Sequence, residues 1–268
     1  MIVSTFELVF APITPTGGEV ARRILQGYFL TITNLENKDL VYRLQFTITT
    51  VNPVDATRLL TNGVLLVDNG IKTATALPNT TNNVIALNAA AGPNPAVYTS
   101  RQFTIRARQT ALAVLLPGNP GVDGFFTNPN TRFEIRGFAA LTLPVKFGRA
   151  GFVAQSKTPV KVLLAPETRG AFLPVAGGDP VGFDFDNTAT ALPISSGQSL
   201  NEILPDQPID DFENGLTSIS PDVLDRVTVN IEDMSNEERG AMLMSLLKLT
   251  GRDDETIKRL AALQPQEA

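Results

Sequence analysis

The chain has 268 residues, 43% of them apolar and 18% charged, enough for a substantial core in one large domain or two. It contains no Cys, His or Trp, which excludes disulfides, Cys/His zinc sites and catalysis that relies on a histidine base. The net charge of −5 is unevenly spread: residues 1–174 hold 16 bases and 9 acids, residues 175–222 hold 9 acids and no base, and residues 223–268 hold 6 bases and 9 acids.

The chain opens on strand-like alternation. In Val3–Phe10, the residues Phe6, Leu8 and Phe10 share one face, and Pro12 and Pro15 end the run. This stretch has no basic start and no cleavage site, and Glu7 interrupts it, so it reads as a strand and not as a signal peptide. A cytoplasmic location is the expectation. Leu25–Thr33 sets Tyr28, Leu30 and Ile32 against Phe29, Thr31 and Thr33. After a polar loop, Leu40–Thr50 sets Tyr42, Leu44, Phe46 and Ile48 against Val41, Arg43, Gln45 and Thr47. Alternation of this kind suits an antiparallel sheet with one wet face.

Thr57–Val67 reads as the next strand, followed by Asp68-Asn69-Gly70, a turn whose residues tolerate positive φ. Ile71–Leu77 and Val84–Leu87 are short strand candidates around a polar loop. That loop holds Asn79-Thr80-Thr81, a glycosylation-type triplet that reads as plain loop where no secretory signal precedes it. Val97–Arg108 alternates, with Phe103, Ile105 and Ala107 inward. Ala111–Leu116 is apolar and ends at Pro117-Gly118. Arg132–Leu143 directs Phe133, Ile135, Ala139 and Leu141 inward, and Gly137 within it marks a bulge or the close approach of another backbone. Phe152–Ala154, Val160–Leu164 and Ala171–Leu173 complete the set, with Pro166–Gly170 as a turn. Many short strands between frequent turns predict a mainly β fold: an antiparallel β-sandwich of jelly-roll type over residues 1–174.

From Val175 the texture changes. Gly177-Gly178-Asp179-Pro180 breaks the sheet pattern, and Phe183, Phe185 and Phe212 stand among Asp, Pro and Ser. This is too apolar for a flexible linker, so residues 175–222 read as an acidic, extended arm lying on a surface. Residues 223–268 read as a last strand, Val227–Ile231, and then a helical hairpin. Ser235 and Glu238 form a capping box. Met242, Leu243, Leu246, Leu247 and Leu249 fall on one broad stripe, and Gly251 is placed to close the helix. A shorter helix capped by Asp253 carries Ile257 and Leu260.

Three candidate chemistries are weak. Asp184-Phe185-Asp186-Asn187 offers oxygen ligands for Ca²⁺ but lacks the glycine and the distal glutamate of a calcium loop, so no metal is expected. Glu134 with Glu167 or Asp123 would make a carboxylate pair for glycoside chemistry, yet Glu134 between Arg132 and Arg136 reads better as an ion pair. Arg101, Arg106, Arg108, Arg132, Arg136, Lys146 and Arg149 make a basic side without a nucleic-acid motif or an array of stacking aromatics. The acidic arm is the more economical counter-charge.

The expectation is a non-catalytic structural subunit that self-associates as a homo-oligomer through its arm and C-terminal helix. No cofactor, nucleic acid or membrane-spanning segment is expected. Its contact residues would be Phe183, Phe185, Phe212, Met242, Leu243, Leu246, Leu247, Leu249, Ile257 and Leu260. A sandwich that binds carbohydrate or peptide, and a carboxylate-based hydrolase, are the alternatives.

Overall fold

A computed structural model describes residues 1–12, 22–49, 59–91, 96–118, 132–148, 151–174 and 187–207. The described chain is mainly β. Apart from a 3-10 turn at Leu60–Asn62, no helix occurs among the described residues. The expected helical hairpin of residues 223–268 lies outside them.

The strands are β1 (Ile2–Pro12), β2 (Arg22–Asn34), β3 (Leu40–Ile48), β4 (Gly63–Asp68), β5 (Asn82–Ile85), β6 (Leu87–Ala89), β7 (Val97–Ser100) and β8 (Phe103–Ile105). They continue with β9 (Thr110–Pro117), β10 (Phe133–Thr142), β11 (Lys146–Gly148), β12 (Gly151–Val153), β13 (Val160–Pro174), β14 (Asn187–Ala191) and β15 (Leu200–Ile203). Two compact units result. The first comprises residues 1–143 and 158–204, and the described part of the second contains the β11–β12 hairpin.

In the first unit thirteen strands form one antiparallel sheet that nearly closes on itself. Its main path runs β5-β4-β9-β2-β1-β10-β3-β7-β6. β2 is the hub. One of its edges pairs with β13 from Arg22 to Asn34. The other edge is shared: Arg23–Gln26 pairs with β1, and Tyr28–Thr33 pairs with β9. Gly27 sits at the changeover, where a Cβ would lie 2.6 Å from Leu116 Cδ2 and 3.0 Å from the Leu115 carbonyl. The absence of a side chain there lets β9 come in against β2 as β1 leaves.

Inward positions along these strands meet in one core. It joins Phe6, Leu8 and Phe10 of β1, Tyr28, Leu30 and Ile32 of β2, and Tyr42, Leu44 and Phe46 of β3. Phe133, Ile135, Ala139 and Leu141 of β10 and Val162 and Leu164 of β13 join the same core. Phe6, Tyr28 and Phe46 stack in tilted or edge-to-face contacts at 5.6–6.5 Å between ring centres, each worth about 1 kcal/mol beyond its buried area. The Tyr28 hydroxyl reaches the buried Ser4 hydroxyl at 2.9 Å, so the ring keeps a polar partner inside.

Several strands differ from their sequence reading. Val97–Arg108 is two strands, because the buried Ser100 hydroxyl accepts Leu44 N–H at 3.0 Å and donates to the Arg101 carbonyl at 2.8 Å, breaking the ladder. Ile71–Leu77 is not a strand. The buried Asn83 side chain takes its main-chain groups instead: Nδ2 donates to the Ile71 carbonyl at 2.7 Å, and Oδ1 accepts Thr73 N–H at 2.9 Å. The Asp68-Asn69-Gly70 turn forms as expected, with Gly70 at φ +71 and its N–H on Asp68 Oδ1. Gly137 marks the close approach that its place suggested, since a Cβ would fall 2.0 Å from the Thr47 carbonyl oxygen.

The largest departure is β13. Pro166–Gly170 is no turn, because the strand runs unbroken from Val160 to Pro174. Leu192 N–H donates to the Pro166 carbonyl at 2.9 Å, and Leu164 N–H donates to the Ser199 carbonyl at 2.9 Å. Even-numbered residues of β13 therefore aim their main-chain groups at β14 and β15, and odd-numbered ones aim at β2. The N–H that proline lacks belongs to the β14–β15 side, where one strand ends before the other begins. No bond to β2 is lost.

Candidate interaction surface

The surface that the sequence assigns to the arm is built on this second edge of β13. β14 pairs with Glu167–Ala171, and β15 pairs with Val160–Leu163. Between them the chain crosses to the start of β1. Leu192 and Ile194 pack against the core. Ser195 N–H donates to the Val3 carbonyl at 2.7 Å, and its hydroxyl donates to the Ile2 carbonyl. Gly197 turns the chain at φ +75, and Asn201 Nδ2 donates to the Gln198 and Ser199 carbonyls. In β15 the alternation is complete: Asn201 and Ile203 are buried, while Leu200 and Glu202 are exposed.

β14 is different in kind. All five of its residues, Asn187-Thr188-Ala189-Thr190-Ala191, are exposed. Among the described residues it pairs with β13 alone. Its hydrogen-bonding parity is set by the bond of Leu192 to Pro166. Thr188 and Thr190 aim their main-chain groups at β13, while Asn187, Ala189 and Ala191 aim theirs outward.

Next to this edge lie exposed leucines. Leu163 and Leu200 face each other across β13 and β15 at 39% and 50% exposure, and Leu204 comes after them at 60%. The outer face beyond them is apolar too. Phe29, Leu112, Val114, Leu116, Val64, Leu66, Leu77 and Val84 pack together in a second cluster. The unbroken apolar runs at Val64–Val67 and Leu112–Leu116 are its trace in the sequence, since such runs belong to strands covered on both faces. Arg169 lies over the Phe29 ring, 4.6 Å from its centre, and bonds Glu167 on its own strand.

The two described candidate carboxylates, Glu134 and Glu167, are each held by arginine. Arg136 bridges Glu7 at 2.6 Å and Glu134 at 2.7 Å. Its pKa is raised by the hydrogen bond to Glu7 first and by the charges of Glu7 and Glu134 after that. Glu167 bonds Arg169, and Asp123 lies outside the described residues. Of the basic set, Arg108 donates to Asn37 Oδ1 at 2.8 Å, tying two turns together. Among the described residues no group of three or more acids could hold a metal ion, and Asp184-Phe185-Asp186 falls outside them. No described helix is long and apolar enough to cross a membrane.

The contact residues named from the sequence, Phe183, Phe185, Phe212, Met242, Leu243, Leu246, Leu247, Leu249, Ile257 and Leu260, all lie outside the described residues. Sequence reasoning missed β14 and β15 because their alternation is short and falls inside an acidic, proline-rich stretch. The signal was present in Asn187–Ala191, an uncharged run of alternating Thr and Ala.

No protein-family model matches this chain, and neither does any curated protein. Among solved structures it is similar to the viral chemokine binding protein R17 encoded by rodent gammaherpesvirus Peru, at 10% identity and a TM-score of 0.20, over 64% of this chain and 50% of that one. The chain spans half of that protein's length, and a likeness at this level carries no argument about fold or activity.

Proposed function

We propose that this protein is a non-catalytic assembly subunit, a β-sandwich of jelly-roll type that joins copies of itself through its C-terminal arm and the helix after it. The sandwich reading is supported by β2, whose second edge is divided between β1 and β9, so that two groups of strands turn over one core. The assembly reading rests on one observation. The strands of the arm pair with β13 of their own chain, yet Leu200 and Leu204 beside them stay exposed, and further along the sequence comes the apolar stripe of Met242–Leu249. Main-chain strand addition and helix-in-groove docking are the two recurrent ways for such a tail to engage a neighbour. Contacts of this type repeated head to tail close into rings or run on as filaments.

The test is light scattering behind size-exclusion chromatography, on the full chain and on a chain ending at Gln207. The cut leaves β14 and β15 in place, whereas a cut at Pro174 would strip both from β13. The proposal expects the full chain to be larger than two copies and the shortened chain to fall to two copies or one. A full chain that stays monomeric at millimolar concentration overturns it, and so does a size unaffected by the cut.

A further inference from the structure

We propose that β14 is a self-pairing edge: two copies join antiparallel, β14 against β14, and the sheet of one continues into the sheet of the other. This deepens the assembly reading and rests on it. The occupant is a second copy of the same strand, for reasons visible in the strand itself.

Sheet edges are normally guarded by charge, proline or a bulge. Asn187–Ala191 carries none of these, and it has no charge to oppose a copy of itself. None of its side chains enters the core, so the strand adds little to the packing of its own fold. Its outward main-chain groups are those of Asn187, Ala189 and Ala191, spaced two apart as a partner strand requires.

The sequence also suits a two-fold axis through Ala189. Ala189 then exchanges both of its main-chain bonds with Ala189 of the second copy. Asn187 pairs with Ala191, and Thr188 lies opposite Thr190 on one face, a favourable cross-strand pair. Arg169, beside Ala189 on β13, would be separated from its copy by three strand spacings, about 14 Å. That distance exceeds the screening length at physiological salt, so the two cations do not oppose the joint.

The chain has no Cys, so a single introduced cysteine reads the register directly. In the full chain, Ala189→Cys sits on the axis with about 5.5 Å between the two Cα atoms, within disulfide range. Asn187→Cys lies on the same edge but about 14 Å from its copy, four residues out of register. Mild oxidation is expected to link most of the Ala189→Cys chains into dimers and almost none of the Asn187→Cys chains. Ala189→Pro removes an outward N–H without touching the β13 ladder, so it should keep the fold by circular dichroism and weaken association at least tenfold.

If wild-type chains associate but Ala189→Cys does not link, or Ala189→Pro associates unchanged, the self-pairing is wrong and the assembly reading stands. If both cysteine variants link equally, the register is wrong and the inference falls. If wild-type chains do not associate at all, both fall together.

Discussion

Single buried polar side chains fix the turns of this molecule. Asn34 is buried, and its Nδ2 donates to the Lys38, Ile105 and Arg106 carbonyls while Oδ1 accepts Glu36 N–H. It clamps the β2–β3 turn to the β8–β9 turn. Asn34→Leu would remove all four of these bonds, and we expect it to cost about 2–4 kcal/mol, read as a fall in the urea midpoint. The three tyrosines of the chain, Tyr28, Tyr42 and Tyr98, are all buried, and burial raises each pKa above the ordinary value. The folded state therefore holds these protons where the unfolded state releases them. The stability they protect is intact below pH about 10 and declines as pH rises beyond it. With no Trp present, absorbance near 295 nm reports the tyrosines alone. Their ionisation should coincide with unfolding, and a reversible titration near pH 10 in the folded protein would contradict their burial.

At the scale of elements, hydrogen-bonding parity decides what each residue of β13 can bear. Ala165 aims its N–H at β2, while Pro166 faces the gap between β14 and β15. Ala165→Pro removes a bond from the central ladder and should cost about 3 kcal/mol or more. Pro166→Ala restores a donor at an edge and should change stability by less than about 1 kcal/mol. Thermal unfolding of the two variants separates them, and equal losses would mean that the register is wrong. Gly137→Ala belongs to the same scale. Its Cβ would meet the Thr47 carbonyl, so β10 and β3 must part locally, with a loss of about 3 kcal/mol or more in the same measurement.

These elements also explain what was legible in the sequence. β1, β2, β3 and β10 have long alternation with one buried face, and their inward residues are those the pattern picked out, from Phe6 to Leu141. β13 was divided because proline and glycine usually punctuate strands, yet here Pro166 sits at an edge position where it costs no bond. Ile71–Leu77 has strand-like residues, but Asn83 captures its backbone at a distance that local pattern does not reveal. β14 and β15 were hidden because an arm strand owes its pairing to β13, far away in sequence, and not to its own periodicity.

Among the described residues of the first unit, a nearly closed antiparallel sheet encloses the main core, and Asn187–Ala191 and Leu200–Ile203 pair along the edge of β13. In the sequence, residues 175–222 carry no base and follow a body with a surplus of them. The central proposal is that the arm, together with the C-terminal segment beyond it, joins copies of the chain. The most direct test is sedimentation equilibrium of the wild-type chain over a hundredfold range of concentration. The proposal predicts a mass that climbs well above the 28.8 kDa of one copy as concentration rises. A mass that stays at 28.8 kDa throughout would contradict it.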